Sequence, residues 1–519
     1  MGHAQPASLD EARAPRAGVR HRVFAAALAT SFGMAAAAAS ASFAAPAAAS
    51  VRDVATASTR PADGVPVAAP SPVLFRGAHV VTMHGPEVLR ERDVLVVDGR
   101  VARIAPRGRL RAPRDATSVD ARGRWLMPGL AEMHAHVPAP PPAETRSAQA
   151  EQYAHDVLLL YAAHGITTIR GMLGHPWHLA LRDDLRRGAV LGPRLHTAGP
   201  SLNGNTAPDP VTGVRLVREQ KAAGYDFLKL HPGLGRATFD AIVATANEVG
   251  LRFEGHVADD VGLLHALDAR MPAIDHLDGY LQALADPDCL KGPTSPGFFG
   301  IGLVQCADRA RIPELVARTR AAGTWMAPTQ VLLEQWANAP TEAELRARPA
   351  VLWLPPNVVD QWVRARGGFL ALQAVGPERA AAFVRLRREL IRELHRAGVP
   401  ILLAADAPQV FNVPGDSVHG ELATYVASGL SPYDALATGT VNAARFLGAG
   451  DRRGRVAEGY DADLVLLAAN PLDDVANARR IEGVMLAGRW LPRAELDRRL
   501  GELAARHAAV PRPSAAPRP

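Results

Sequence analysis

Residues 126–137 read LMPGLAEMHAHV, an apolar run with a Pro-Gly pair near its start and two histidines, His134 and His136, at its end. Side chains alternate across a β-strand, so residues two apart share a face and the two imidazoles point together. If that face lines the inside of a barrel, two neutral imidazoles converge at its mouth. A divalent metal is then the natural third party. His-X-His alone is a weak motif, equally at home on a surface strand, so its weight depends on what the later strands carry.

Working outward, the chain has 519 residues, more than one average domain but within reach of a (β/α)8 barrel with insertions and one companion domain. Its formal net charge of +6 comes from basic residues scattered singly or in pairs. No basic stripe with interleaved aromatic residues exists, which argues against nucleic acid as a partner. Only three of the 58 basic residues are lysines: Lys221, Lys229 and Lys291. A chain that otherwise uses arginine but sets Lys229 within the apolar run DFLKLHP invites a chemical reason.

Arg13, Arg16, Arg20 and Arg22 precede an uncharged alanine-rich run from Val23 to small residues near Ala45. That is the layout of a signal peptide over residues 1–45, and it predicts a secreted, periplasmic protein with no stable membrane insertion after cleavage. An uncleaved anchor, alanine-rich filler and an organelle transit peptide remain alternatives. The anchor would want more Leu, Ile and Val. Residues 46–71 read as a flexible lead-in and residues 509–519 as a disordered, Pro-rich tail. The two cysteines, Cys289 and Cys306, lie in one Gly/Pro-rich segment; in an oxidising compartment they can close a short loop, the alternative being two unpaired thiols.

From VLFRGAHVVTM at 73 to DVLVVDGRVARIAPRG, short β-branched runs and turn signals such as Asp98-Gly99 predict a small antiparallel sheet, and ADLVLLAANP and GVMLAGRWLP near the far end repeat the pattern. Residues 72–125 and 450–495 are therefore expected to form one composite β-sandwich domain, with 126–449 inserted between its halves. The insert alternates strand-like and helical runs, with strand candidates at 126–137, 165–172, 194–202, 226–232, 252–257, 273–279, 325–330 and 400–408. Helices at 237–250 and 308–323 end on glycines. Eight such units predict an α/β chain closed as a (β/α)8 TIM barrel, with its active site at the strand C-terminal ends. Regions 280–307 and 332–398 exceed ordinary connections and would sit over that face as lids or substrate walls, unless they serve as padding or an oligomer contact. A homo-oligomer is compatible with the chain.

The strand ends carry His134 and His136, Lys229 and His231, His256, His276 and Asp406. A lone histidine of this kind is usually a satisfied core residue, but seven such residues at one rim fit that explanation poorly. PGLAEMHAHV, GITTIR, DFLKLH, EGHV, IDHL and AADAP, followed by GDSVHGELATYVASGLSPYDALATGTVNAARFLG and GRVAEGYDADLVLLAANPL, make the chain resemble the amidohydrolase superfamily, in its prolidase-like and imidazolonepropionase-like branch. The resemblance covers about residues 72–495.

It implies that His134 and His136 hold one metal ion, His256 and His276 a second, and that Asp406 touches the first. Lys229, as N6-carboxylysine, would bridge the pair, since an ordinary ammonium would repel two cations whereas burial favours the neutral amine that captures CO2. The competing reading pairs Lys229 with an acid and leaves one metal. Two divalent ions are implied as cofactors, with zinc the default among zinc, manganese and cobalt. Asp406 would serve as general base and then general acid. Where relatives commonly carry a tyrosine two residues after the lysine, this chain has His231, which either donates to a substrate carbonyl or packs at the rim. Arg170 is followed by Gly171 where an acid is usual; it either receives a substrate carboxylate or forms a structural salt bridge. His419 and Glu421 belong to the helix after strand eight.

The activity this implies is hydrolysis of an amide bond in a small peptide or N-acyl amino acid. The alternatives are opening of a cyclic amide or lactone, deamination of a heterocycle, and a non-catalytic binding protein, against which Asp406 argues.

Overall fold

The computed structural model describes residues 70–140, 148–291, 296–338, 340–373 and 376–509. The expected signal peptide, all but the last two residues of the lead-in and all but the first residue of the tail lie outside them.

Five strands open the described chain: β1 (Val73–Val81), β2 (Val88–Val97), β3 (Arg100–Pro106), β4 (Thr117–Asp120) and β5 (Trp125–Pro128). Seven short ones follow: β6 (Leu130–Ala135), β7 (Ile166–Gly171), β8 (Arg194–Thr197), β9 (Phe227–Leu230), β10 (Arg252–Gly255), β11 (Ala273–Asp275) and β12 (Trp325–Ala327). Then come β13 (Leu464–Leu467), β14 (Ile481–Leu486) and β15 (Arg489–Pro492).

The two ends of the chain meet in one sheet, in the order β15-β14-β13-β5-β1-β2-β3 with β4 also on β1. The join is the antiparallel pairing of β13 with β5, Leu466 opposite Leu126. Phe75, Val94, Val101, Leu464 and Met485 pack together in its core. The sheet departs from the antiparallel expectation, because β4 and β5 both run parallel to β1. The connection after β3 carries the chain back to the end at which β1 began.

The opening stretch, expected as one strand, is two. Residues 125–128 belong to the composite sheet and 130–135 to the next, with Gly129 between them. Gly129 donates its N–H to Asp463 O at 2.8 Å, and a Cβ there would stand 2.2 Å from the Thr167 side chain. Only glycine lets the chain change sheets at this point.

β6-β7-β8 and β12-β11-β10-β9 are parallel ladders. Beyond β8, Ala198 and Leu202 bridge to Phe227 and Leu230, joining the two ladders on one side. On the other, Pro400–Ala407 lies between β12 and β6: Met326 bridges Ile401, Ala135 bridges Ala407, and Met133 N donates to Leu403 O at 2.7 Å. The eight segments thus follow one another in chain order around a curled parallel sheet, with helices between them. Helices Arg236–Val249 and Ile312–Ala322 stop at Gly250 and Gly323, both left-handed.

The two long insertions are largely helical. The first contains Tyr280–Leu284, Pro287–Lys291 and a 3₁₀ stretch, Phe298–Cys306, and Cys289 is disulfide-bonded to Cys306. The second contains Gln330–Ala337, Glu342–Arg346, Pro356–Gln373 and Pro377–Arg396. A further helix, Arg493–Ala508, packs on helix Ala148–Ala163, where Arg506 meets the buried Asp156 at 2.6 Å. Among the described residues no helix is long and apolar enough to cross a membrane.

Candidate metal centre

The C-terminal ends of the strands of the curled parallel sheet deliver a buried group of imidazoles and carboxylates. His134 lies on β6, its Nε2 3.6 Å from Asp406 Oδ1 and its Nδ1 3.4 Å from Asp275 Oδ2. His136, two residues on, places Nε2 2.8 Å from the same Asp406 oxygen. His276 Nε2 lies 4.0 Å from Asp406 Oδ2. Ligand atoms of His134, His276 and Asp406 all fall within 4.8 Å of one another. The His256 ring stacks on His276 with centroids 4.6 Å apart, and His231 lies 5.0 Å from His256.

The backbone explains how so many polar side chains reach one point. His276 has φ +60° and Asp406 φ +62°, while Gly255, just before His256, has φ +128°. The non-glycine residues in this left-handed region are strained and persist only where the surroundings hold them. The turns break strand alternation, so Asp275 and its neighbour His276 both enter the cluster.

A supporting layer holds the imidazoles. His276 Nδ1 is bonded to Thr329 Oγ1, His256 Nδ1 to Asp278 and His231 Nδ1 to Ser201 Oγ, each at 2.7 Å. Such partners fix ring orientation and leave Nε2 toward the centre. Glu132, also buried, accepts from the N–H groups of His134 at 2.8 Å and Ala405 at 2.9 Å, tying β6 to the eighth segment. Burial pushes its carboxyl well above the usual range.

Lys229 is fully buried, with Nζ 2.5 Å from Asp275 Oδ2. Asp275, which the sequence reasoning did not single out, is the hub beneath the cluster, touching Lys229, His134 and Arg170. Burial pushes its carboxyl upward, but Lys229, His134 and Arg170 outweigh burial and hold it well below the ordinary value. The signal was IDHL itself: an acid directly before a strand-end histidine. Strand alternation assigned that acid to the opposite face.

Arg170 forms a buried salt bridge, one of the two roles expected of it. Its guanidinium is fully buried, with Nη1 2.7 Å from Glu254, Nη2 3.5 Å from Asp275 and Nε 2.6 Å from Met133 O. It is occupied by the protein's own acceptors, and Glu254 on β10 and Asp275 on β11 supply the acid that Gly171 does not. Glu421 holds the N–H groups of Gln330 and Val331 at 2.8 and 2.6 Å, at the start of helix Gln330–Ala337. His419 bonds to His164 O, away from the cluster.

The donor set fits a cation. Burial lowers His134 to about 4 and His276 well below its ordinary value, so both imidazoles are neutral, the form that offers a lone pair. Burial pushes Asp406 up, but His134, His136 and Lys229 hold it below the usual carboxylate range, as an anion. His276 Nε2 and Asp406 Oδ2 are buried and have no hydrogen-bond partner among the described residues. Buried polar atoms left this way require an explanation, and a metal ion at that point supplies one.

Buried imidazoles and a carboxylate converging on the C-terminal rim of a parallel α/β sheet make a group that could hold a metal ion. The chain belongs to the amidohydrolase family, whose sequence pattern matches residues 125–491. An adenine deaminase of Chelativorans sp. (strain BNC1) is 29% identical over 225 residues, which are 40% of this chain and 35% of that protein. The chain therefore spans about a third of the length of that curated relative. Among solved structures, bottromycin amidohydrolase is 25% identical with a TM-score of 0.64, covering 84% of this chain and 90% of its own. A Xaa-Pro dipeptidase with bound methionine shares the fold at 17% identity and a TM-score of 0.58, covering 81% of this chain and all of its own.

Proposed function

We propose that this protein is a secreted, binuclear metal-dependent amidohydrolase that cleaves an amide bond in a small peptide or N-acyl amino acid. The fold taken with this reading is a (β/α)8 barrel over 126–449, carried by a composite β-sandwich domain from 72–125 and 450–495. The observation behind the proposal is the buried triad His134, His276 and Asp406, in which His276 Nε2 and Asp406 Oδ2 have no hydrogen-bond partner among the described residues. His134, His136 and Asp406 would hold one divalent ion and His256 and His276 the other, with Lys229 carboxylated between them. Bound zinc ions would supply Lewis acidity and a water that ionises near neutral pH.

The chain's own residues supply the proton handling and orientation. Asp406, ionised and bonded to His136 through Oδ1, accepts a proton and returns it to the leaving nitrogen. His231 is held well below its ordinary value by burial and by Lys229 and neighbouring histidines, so it works as a neutral imidazole oriented by Ser201. A neutral ring can donate to a carbonyl oxygen without adding charge beside the metal ligands. Asp275 already sits against Lys229 and would orient the modified side chain.

Metal analysis combined with a screen of dipeptides and N-acyl amino acids tests the proposal. Close to two metals per chain with amide cleavage is the expected result; one metal with full activity would defeat the bridge. A second reading, deamination of a heterocycle, rests on the adenine deaminase match, and ammonia release from adenine in the same screen would favour it.

A further inference from the structure

The two ends of the first long insertion are tied together. Ala285 bridges Ala307, Asp286 N donates to Cys306 O at 2.9 Å and Asp308 N to Leu284 O at 2.8 Å. The Cys289–Cys306 disulfide ties the same base. Between those ends the chain turns through two left-handed residues, Phe299 at φ 50° and Gly300 at φ 77°. Gly300 packs on Leu281 so closely that a Cβ would approach Leu281 Cβ to 2.8 Å. The Phe299 backbone is unfavourable for a side chain of that size, and its position is imposed by the packing around it.

That position is beside the metal cluster. The Phe299 ring centroid lies 5.1 Å from the His276 ring. Phe298 meets Phe299 edge-on at 4.3 Å and Trp336 at 4.8 Å, and Phe299 lies 6.2 Å from Trp336. All three aromatic residues are half-buried. Trp336 stands on the helix that begins after Thr329, the residue bonded to His276. The aromatic wall and the candidate ligand His276 are therefore held by one framework. The wall is an apolar face beside the candidate ligand His276, where an apolar part of a substrate would rest.

We infer that Phe299, backed by Phe298 and Trp336, is a specificity-determining wall that selects substrates carrying an aromatic side chain next to the scissile amide. This rests on the amide-hydrolase reading and names its substrate class. A phenyl group gains offset or edge-on ring contacts there that a methyl group cannot make, and each loss of about 1.4 kcal/mol in such contact is a tenfold change in affinity.

The test is calorimetric binding of 3-phenylpropionate and propionate to the zinc-loaded protein; the two share a carboxylate and differ by the ring. Wild type is expected to bind 3-phenylpropionate at least tenfold more tightly. Phe299→Gly removes the ring and suits the left-handed backbone, and it should cut that ratio at least fivefold. Trp336→Leu gives an independent measure of the same wall if Phe299→Gly does not fold. A wild-type ratio below tenfold, or one unchanged in the variants, overturns the inference. Hydrolysis of N-acetyl-phenylalanine is followed on the same samples. Aromatic preference without cleavage would count against the amide-hydrolase reading alone, and cleavage without preference against the wall alone.

Discussion

Arg170 and Arg387 are both fully buried, and the site is built between them by opposite means. Arg170, below the cluster, is neutralised: Glu254 and Asp275 face its guanidinium. Arg387, reaching in from helix Pro377–Arg396, meets neutral oxygens, with Nη1 2.7 Å from His276 O, Nη2 2.8 Å from Pro328 O and Nε 2.9 Å from Gln330 Oε1. Burial lowers its pKa to about 10, whereas Glu421, Asp278 and Glu334 act on it only through their field. The inner layer therefore balances charge under the candidate metal ligands. The outer layer spends a charge on holding backbone, pinning the ends of β11 and β12 where His276 and Thr329 leave the sheet.

The comparison breaks most severely at Lys229. Replacing it with alanine leaves Asp275 without its nearest cation and removes the proposed bridge. Lys229→Ala is expected to lose bound metal and to lower activity by more than about a thousandfold, read by metal analysis and steady-state kinetics on one preparation. Full metal content in that variant would move Lys229 from the centre to its support. Arg170→Met should destabilise the protein by about 3–5 kcal/mol, because it removes a buried cation shared by two buried carboxylates, Glu254 and Asp275. Denaturant unfolding measures it, and a change below about 1 kcal/mol would mean that Glu254 and Asp275 take up protons freely.

How much of this was legible depends on whether a residue's role is set by its own strand or by how the sheet curls. His134 and His136 follow from i, i+2 spacing, and Lys229 stood out as a lysine in an apolar run. Asp275 did not, because the left-handed turn at His276 puts two consecutive residues on one side. Arg170 looked unpaired in sequence since its acids come from Glu254 and Asp275, 84 and 105 residues away. The eighth strand was found from PILLAADAP, yet in the structure it joins its neighbours through isolated bridges at Ile401 and Ala407 and single backbone hydrogen bonds such as Met133 N to Leu403 O, without a regular ladder. Its apolar pattern records burial rather than regular pairing. The division of 126–137 at Gly129 was hidden because both halves are apolar and extended; only Thr167, from the neighbouring strand, makes the glycine necessary.

Glu421 sharpens the outer half of the comparison. Burial raises its carboxyl to about 7, despite the Gln330 and Val331 N–H groups that favour its charge. The folded chain therefore binds this proton more tightly than the unfolded chain, whose carboxyl titrates near its ordinary value of 4.5. Stability from this group is fully present below pH 4.5 and is lost as pH rises through about 7. Across that window the stability difference between wild type and Glu421→Gln should change by about 3 kcal/mol, following 1.36 kcal/mol per unit of pKa shift. Urea unfolding at pH 4.5, 6 and 8 reads it; a difference independent of pH would mean Glu421 is ionised throughout, and Arg387 would then have a full counter-charge.

Arg387→Met gives the smallest loss and the most direct contrast with Arg170. It removes a buried cation and leaves only neutral acceptors behind: His276 O, Pro328 O and the Gln330 amide oxygen. Unsatisfied neutral groups cost less than stranded charges, and methionine restores apolar volume, so the expected destabilisation is about 1–3 kcal/mol. The effect on function should exceed that figure. With the β11 and β12 ends unpinned, His276 and Thr329 lose a shared fixed point, and metal affinity should fall by about 10–100-fold, the usual consequence of removing an outer partner of a ligand. Arg387→Lys keeps the charge but cannot span three acceptors with a planar fork, so it should recover stability better than metal affinity. Metal titration and unfolding of the two variants separate these effects. If metal affinity follows stability in parallel through both, Arg387 is a packing residue, and the outer layer has no positioning role of its own.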